Sequence, residues 1–457
     1  MGKRSRRILT GFGVVIVALG VVYAVMMIRA TGRLRRAYAA LEADGRPMRT
    51  AEIIPPKVPD SDNAAVLYQS AVLLLKGQPA GDKSLFEQLT ARASAARKEA
   101  QKKWIAHEAV TNALSLLAEG TQRPTCQIEH NHDNVLEVMG SPFLEDWRNL
   151  VSIMTARIRF EAEAGNPAKA WDLLLTQLRL ADSLRLDPSS DTQFTRQALT
   201  AWASRTMRVV CETALPAVEH VQAIDDLLRR QDDVEPLVRA VDGERLLIGE
   251  WFFNLPKEEL DKILWRERSD DKVTPPRVLK AIHRLSFTVL AFKPRLISDH
   301  AAYLELMRKR VHLLQGPYRD RKEIARALQS SHWNILTHKL TWSAGNEKWF
   351  YCRLLADSRV TRAGLAVLQY RQAHDAFPES LDAVGLEGLL DPFTEKPLHY
   401  RPEGEGFVVY SVGDDLKDNG GTPMRRREDS DPRRKPVEYD QLWRFPAPEN
   451  RTAAGDG

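Results

Sequence analysis

A continuous apolar run from Ile8 to Ile28 is the feature that most constrains the fold of this chain. The run contains no Asp, Glu, Lys or Arg, and a helix needs about 20 apolar residues to cross a bilayer. A secretory signal peptide has a shorter apolar core, roughly 7–15 residues, followed by a small-residue cleavage site, and Ala30-Thr31-Gly32 is a poor candidate for one. The sequence therefore predicts an uncleaved single-pass anchor, with a buried core helix as the alternative.

The orientation of this anchor is only weakly specified by charge. Basic residues stand on both sides of the run, at Lys3, Arg4, Arg6, Arg7, Arg29, Arg33, Arg35 and Arg36. The positive-inside rule compares the two flanks, which here nearly balance. We expect a short N-terminus on the cytoplasmic side of an inner membrane, with the body outside the cytoplasm.

Composition excludes several classes of protein. The chain has 457 residues and a formal charge of +5, which suits two or three domains. Its basic residues form no clustered face within a known module, so no nucleic-acid partner is expected. The three cysteines are far apart and form no CxxC pair, which argues against a disulfide scaffold.

The body has the periodicity of amphipathic helices. Apolar residues recur at helical spacing from Trp147 to Ile158 and again from Trp171 to Ala181. Between the two stripes, Gly165 suits the end of one helix and Pro167 the first turn of the next. The sequence predicts an antiparallel helix pair over 146–186.

The pattern changes after Phe377. Leu398–Arg401 and Gly406–Ser411 carry β-branched and aromatic residues on either side of a Gly-containing turn, which predicts a β-hairpin. The chain then enters an acidic, Gly-rich loop. Beyond Gly421, the abundance of Arg, Asp, Glu and Pro predicts a largely disordered tail.

This C-terminal segment resembles the globular end of the type II secretion major pseudopilins. The matching stretches are YRQAHDAFPESLDAV (370–384), DPFTEKPLHYR (391–401) and FVVYSVGDDLKDNGG (407–421). They follow the family order of a long helix, an Asp-Pro turn opening a short antiparallel sheet, and a strand that enters an acidic loop. The resemblance implies a small α+β domain and a calcium site in that loop. The chain departs from the family at Ile16, where a pseudopilin has Glu, and in the long helical segment that separates anchor from head.

The expected fold class is therefore mainly α, with an N-terminal transmembrane helix, a helical-hairpin body and a small C-terminal α+β domain. The sequence predicts five segments: an anchor (1–36), a juxtamembrane linker (37–63), a helical body (64–342), a pseudopilin-like domain (343–421) and a tail (422–457). The whole chain is similar to membrane-anchored bacterial envelope proteins.

The acidic loop supplies the candidate metal ligands, which are Asp414, Asp415, Asp418 and Asn419. Calcium prefers six to eight oxygens from carboxylates, amides and carbonyls. The loop is not an EF-hand, because Arg425 stands where that motif needs Glu and Asn419 where it needs Gly. Backbone carbonyls and Asp440 from the tail are further candidate donors, and an ordinary solvated turn is the alternative.

A second cluster of ligand-type residues lies at Cys126, His130 and His132, where His-x-His could hold zinc on one face of an extended segment. The chain contains no Walker A, GxGxxG, GxSxG or HExxH sequence, so no catalytic residue is predicted. The leading hypothesis is a non-enzymatic, membrane-anchored extracytoplasmic scaffold or assembly protein with a protein partner. The alternatives are an extracytoplasmic metal-dependent hydrolase that uses this cluster, and a helical adaptor facing the cytoplasm.

Overall fold

A computed structural model describes residues 3–81, 83–90, 102–128, 142–256, 259, 293–318, 321–328, 335–340, 346–386, 389–422 and 440–447. These residues are mainly helical, and a small antiparallel sheet lies near the C-terminus. This architecture confirms the predicted fold class.

The described helices are numbered in chain order. They are α1 (Lys3–Ala43), α2 (Ala64–Gly77), α3 (Leu85–Thr90), α4 (Glu108–Gly120), α5 (Pro142–Glu163), α6 (Pro167–Ser183), α7 (Ser190–Cys211), α8 (Val218–Arg229), α9 (Glu235–Gly243), α10 (Glu250–Asn254), α11 (Lys293–Gln315), α12 (Arg321–Ala327), α13 (Ile335–Leu340) and α14 (Glu347–His374). A π-helical segment, Glu244–Gly249, joins α9 to α10.

The strands form two small antiparallel sheets. A minimal ribbon pairs β1 (Pro79–Ala80) with β2 (Lys83–Ser84). The C-terminal sheet has the order β3 (His399–Glu403), β4 (Gly406–Ser411) and β5 (Gln441–Phe445). The β3–β4 hairpin confirms the sequence prediction, and β4 is central and buried along its whole length.

Strand β5 corrects the prediction for the tail. It lies within the segment expected to be largely disordered, and it pairs with β4 from Phe407 opposite Phe445 to Ser411 opposite Gln441. The prediction is therefore wrong for residues 440–447. The charged composition of the surrounding tail masked a five-residue strand whose central side chain, Trp443, is buried.

The chain divides into two compact units, each assembled from separated segments. Unit 1 comprises 1–53, 241–312 and 325–344, and unit 2 comprises 54–240, 313–324 and 345–457. The predicted domains, in contrast, are continuous in sequence. In unit 2, helices from the predicted body and the C-terminal sheet contribute to one hydrophobic core.

The predicted helix pair forms part of that core. Helices α5 and α6 are joined by a turn in which Gly165 has φ of +78°, a left-handed conformation that costs glycine little. The apolar stripes of both helices are buried, and Trp147 is 2% exposed. The ring of Trp147 meets that of Tyr68 on α2 edge-to-face, with centroids 5.3 Å apart.

The C-terminal sheet packs against α14. Gly364 on this helix lies under the indole of Trp443 so closely that a Cβ atom would be 2.1 Å from the ring. Arg208 on α7 pairs with Asp357 on α14 at 2.6 Å and also donates to the Leu442 carbonyl at 3.1 Å. Helices α7 and α14 and strand β5 are thereby held together within unit 2.

In unit 1, the N-terminal apolar run lies within one long helix. Helix α1 is continuous from Lys3 to Ala43 and contains a segment long and apolar enough to cross a membrane, none of which is buried in the protein. Gly45, with φ of +67°, follows the helix, and the Arg46 amide donates to the Leu41 carbonyl at its end.

Candidate functional site

The acidic loop leaves the sheet at the end of β4 and turns back toward β5. Gly413, Leu416, Gly420 and Gly421 all have positive φ values, so the chain reverses direction within nine residues. Glycine adopts this conformation at little cost, which explains why the loop is glycine-rich at its two ends.

Three predicted or candidate ligands meet inside the loop. The Asn419 side-chain amide donates to Asp415 Oδ2 at 3.1 Å and lies 3.5 Å from Asp440 Oδ1. Asp440 precedes β5 and also accepts from the backbone amides of Asn419 at 3.2 Å and Gly421 at 2.7 Å. Burial raises the pKa of Asp440, although these hydrogen bonds oppose that shift. Strand β5 therefore brings a carboxylate to the loop from the tail.

Asp418 has a different set of partners. Its Oδ1 accepts from the Tyr410 hydroxyl at 2.9 Å and from the Gly420 amide at 2.8 Å, and His399 lies 3.5 Å from its Oδ2. The Gly420 amide is the main reason that the pKa of Asp418 is lowered. His399 in turn stacks on Tyr410, with ring centroids 4.8 Å apart. Asp418 thus ties the loop to strands β3 and β4.

Asp414, the remaining candidate ligand, turns toward α14. Its Oδ2 accepts from the Trp349 indole nitrogen at 2.8 Å. The four residues predicted from sequence therefore separate into Asp415 and Asn419, which adjoin Asp440, and Asp414 and Asp418, which contact aromatic side chains elsewhere.

Asp391 begins the Asp-Pro turn noted in the sequence, but its role as a buried hydrogen-bond acceptor was not predicted. Its side chain is fully buried and accepts from the Ser411 hydroxyl and the Val412 amide, both at 2.9 Å. It also accepts from the Phe393 amide at 2.9 Å, a local bond typical of an Asp-initiated turn. Asp391 fixes the backbone where β4 ends and the loop begins, and the Asp391-Pro392 pair was the available signal.

The loop contains a small set of oxygen donors of the kind that hard cations prefer. Asp415 and Asp440 supply carboxylates, and Asn419 has an amide whose oxygen and nitrogen can exchange places by rotation. In this structure the amide nitrogen faces both carboxylates. Over the part of the chain that the structure describes, no three His, Cys, Asp or Glu side chains form a metal-holding group. A cation here would need amide and backbone oxygens beside the two carboxylates.

The second predicted cluster is represented by Cys126 alone, since His130 and His132 lie outside the described residues. Cys126 is a free thiol that is partly buried. Desolvation raises its pKa to about 12.

A second feature is the junction between the apolar run of α1 and the rest of unit 1, at residues 33–44. Arg33 forms a two-point ion pair with Glu305 of α11, at 2.9 and 2.6 Å. Asp44 forms another with Arg308, at 2.6 and 3.0 Å, and accepts from His312 at 2.9 Å. The contacts advance together along α1 and α11, so the two helices run in the same direction.

Between these ion pairs lies a more buried polar contact. The Tyr38 hydroxyl is 2.9 Å from both carboxylate oxygens of Glu250, and His300 lies 3.2 Å from the same carboxylate. Burial alone would raise the pKa of Glu250, but the hydrogen bonds from His300 and Tyr38 outweigh it and lower the pKa. His300 also stacks on Phe253 at 4.4 Å.

No protein-family model, curated protein or solved structure matches this chain.

Proposed function

We propose that this chain is a non-enzymatic, single-pass membrane protein that acts as an extracytoplasmic scaffold or assembly factor. The observation that carries the proposal is the continuity of α1, which extends from the apolar run into unit 1 without a break. In this proposal the helix is both the membrane anchor and a packed structural element of the body.

The dimensions of α1 support a position of the rest of unit 1 at the membrane surface. The apolar run from Ile8 to Ile28 covers about 31 Å as a helix, close to the hydrocarbon thickness of about 30 Å. Arg33, which forms the first ion pair with α11, is only about 7 Å farther along the helix axis.

Packing along the same stretch makes α1 a stalk rather than a loose tether. Ala37 and Leu41 are buried, with Leu41 only 1% exposed, between the Arg33 and Asp44 ion pairs. Exposed ion pairs contribute little individually, but here they flank a buried apolar face. A body fixed in this way presents constant surfaces to neighbouring proteins, which is what a scaffold requires.

Calcium is the proposed cofactor of the C-terminal segment, in keeping with its resemblance to the pseudopilins. Asp415, Asn419 and Asp440 would hold the ion, and it would neutralise the two carboxylates that now share one amide. Sites with few charged ligands bind calcium weakly, with Kd of roughly 10⁻⁴–10⁻³ M in extracellular modules. Such an affinity matches a compartment outside the cytoplasm.

The role of α1 in assembly can be tested with variants that keep the membrane anchor but differ in the rigidity of the helix between the anchor and the body. We would insert six Gly/Ser residues after Ile28, which makes a flexible joint, and compare this variant with an insertion of seven alanines, which keeps the helix continuous. Each protein would be extracted from its native membrane in mild detergent, and its particle mass measured by light scattering.

The wild type and the alanine variant should form a complex heavier than one 51.7 kDa chain, and the flexible variant should lose it. A monomer in every case would contradict the scaffold. Retention of the complex by the flexible variant would refute the role of the stalk.

Calcium binding can be tested by thermal unfolding of the full chain with 5 mM calcium or with a chelator. With a Kd of about 0.5 mM, stabilisation should be about 1.4 kcal/mol. Asp415→Asn and Asp440→Asn should lose the shift, whereas Asp414→Asn, the matched control that contacts Trp349 instead, should keep it. Identical shifts in all variants would remove calcium from the proposal.

Metal content distinguishes the hydrolase alternative. One zinc per chain that disappears in both His130→Ala and His132→Ala would favour a metal-dependent hydrolase over the scaffold. Calcium lost in Asp415→Asn, with no stoichiometric zinc, is the result expected here.

A further inference from the structure

We infer that unit 1 binds the headgroups of anionic phospholipids where its body adjoins the apolar run of α1. The binding surface, named the basic cluster, consists of Arg29, Arg33, Arg35 and Arg36 of α1 and Lys293 and Arg295 of α11. The inference goes beyond the scaffold role but rests on the proposed membrane anchor, because it names the lipid that the body contacts.

Two helices that are distant in sequence bring these basic residues to one level. Helices α1 and α11 run in the same direction, and their side-chain contacts join residues that are 262–272 positions apart. With this offset, Lys293 is level with residues 21–31 of α1 and Arg295 with residues 23–33. The described start of α11 therefore lies beside the end of the apolar run at Ile28.

The cationic groups on α1 lie at the depth of lipid headgroups. Arg29 follows Ile28 directly, and the Arg36 side chain folds back toward the apolar run, with Nη1 only 3.6 Å from where a Cβ on Gly32 would stand. Gly32 is about 6 Å beyond Ile28 along the helix axis. The polar layer of each leaflet is about 5–7 Å thick, so both guanidinium groups would lie within it.

Nearby carboxylates do not neutralise the basic cluster. Helix α1 has no acidic residue before Glu42. Asp299 is buried and accepts from two backbone amides of α13, at 2.9 and 3.2 Å. Glu305 is paired with Arg33, and Glu250 accepts from a tyrosine hydroxyl. The six basic residues outnumber these three carboxylates, each of which already has a hydrogen-bond donor.

Four side chains of the basic cluster can reach phosphate groups. Arg29, Arg35, Arg36 and Lys293 are exposed and form no ion pair with any residue that the structure describes. Arg33 is held by Glu305 and fixes α1 against α11. The packing of the two helices therefore positions the cluster, and its exposed members remain available for a ligand.

The position of the basic cluster selects lipid as that ligand. A basic residue near an anionic membrane surface strengthens binding about fivefold. A soluble acidic protein or a nucleic acid would have to displace headgroups to reach side chains at this depth. Phospholipids of the membrane that α1 crosses are already there, and those with a net negative charge complement the cluster.

Lipid preference would be measured by native mass spectrometry of the full chain in a neutral detergent. Phosphatidylglycerol and phosphatidylcholine with identical acyl chains would be added in equal amounts, and the bound molecules of each would be counted. The starting protein carries Lys3→Gln, Arg4→Gln, Arg6→Gln and Arg7→Gln. These changes remove the basic residues on the other side of the apolar run.

Two substitutions test the basic cluster, one on each helix, and a third is their matched control. Lys293→Gln and Arg36→Gln remove exposed cations that have no ion pair to lose. Lys309→Gln makes the same change on α11 at an exposed residue about 24 Å farther from the apolar run. All three proteins are expected to fold as the starting protein does, which circular dichroism would check.

The starting protein should bind phosphatidylglycerol about fivefold or more in preference to phosphatidylcholine. Lys293→Gln and Arg36→Gln should each lower this ratio about twofold to fivefold, whereas Lys309→Gln should leave it unchanged. The preference should weaken in 0.5 M salt, because exposed charges are screened.

Equal binding of the two lipids by the starting protein, or equal losses in Lys293→Gln and Lys309→Gln, would overturn the inference. Loss of the preference when 10 mM phosphate replaces chloride at constant ionic strength would also overturn it, because the site would then be one for free phosphate. Alkaline carbonate extraction of native membranes separates this inference from the anchor. Release of the chain would refute both, whereas retention in the membrane with no lipid preference would refute the lipid site alone.

Discussion

Gly364→Ala provides a sharp test of how the C-terminal sheet packs in unit 2. The added Cβ would lie 2.1 Å from Cε3 and 2.4 Å from Cζ3 of Trp443, whereas carbon atoms in contact are separated by about 3.5–4.0 Å. Strand β5 or helix α14 would therefore have to move by about 1.5 Å. Phe407 also packs on this indole, edge-to-face with centroids 5.8 Å apart, and restricts such a movement.

The expected loss follows from two opposing terms. Overpacking of a core costs typically 1–3 kcal/mol, and a displacement of this size belongs near the upper end. Replacing glycine by alanine inside a helix stabilises the helix by about 1 kcal/mol. The free energy of unfolding should therefore fall by about 2 kcal/mol, measured as a lower urea midpoint by tryptophan fluorescence.

Gly77→Ala is the matched control, because a Cβ at this last residue of α2 meets no atom within 4 Å. It should leave the midpoint unchanged or raise it. In a Trp443→Leu background, Gly364→Ala should cost nothing, since the clashing ring is gone. Equal midpoints for Gly364→Ala and Gly77→Ala would refute the packing of β5 on α14.

Three further outcomes are expected. Trp147→Ala should lower the free energy of unfolding by about 3–5 kcal/mol, as for other buried tryptophans, and an unchanged urea midpoint would place this ring at the surface. Gly249→Ala should lower the melting temperature of unit 1, because its Cβ would lie 2.2 Å from the Tyr303 ring; tolerance would contradict that contact. Hydrogen bonding from Arg308 lowers the pKa of Asp44 to about 2, so its stabilising effect should be complete above about pH 4 and decline as the pH falls toward 2. Asp44→Asn should lack this decline, and parallel pH profiles would contradict the ion pair.

Local sequence patterns were enough to predict the elements that pack or pair with a neighbour in the sequence. The stripes from Trp147 and Trp171, separated by Gly165, predicted the helix pair α5–α6, because helix period and turn chemistry agree there. The β3–β4 hairpin was predicted for the same reason, since Gly404 and its neighbours specify the turn.

Long-range placement could not be derived in this way. Strand β5 follows a long charged segment of sequence before it pairs with β4. The burial of Trp443 depends on Gly364, which lies far away in sequence on α14. The same holds in the candidate site, where Asp440 reaches Asn419 only because β5 returns to the sheet. The pairing of Arg33 with Glu305 joins residues 272 positions apart, and no periodic pattern encodes it.

Whether α1 is a membrane anchor with the body on the extracytoplasmic side is tested most directly by thiol labelling. Glu405→Cys would place a cysteine in the exposed β3–β4 turn, and Ser5→Cys would place one before the apolar run. Both variants and the wild type would be treated with a membrane-impermeant maleimide in intact spheroplasts and again after lysis. Glu405→Cys should react in intact spheroplasts and Ser5→Cys only after lysis, each above the wild-type background. The reverse pattern would place the body in the cytoplasm, and labelling of both before lysis would show that α1 does not span the membrane.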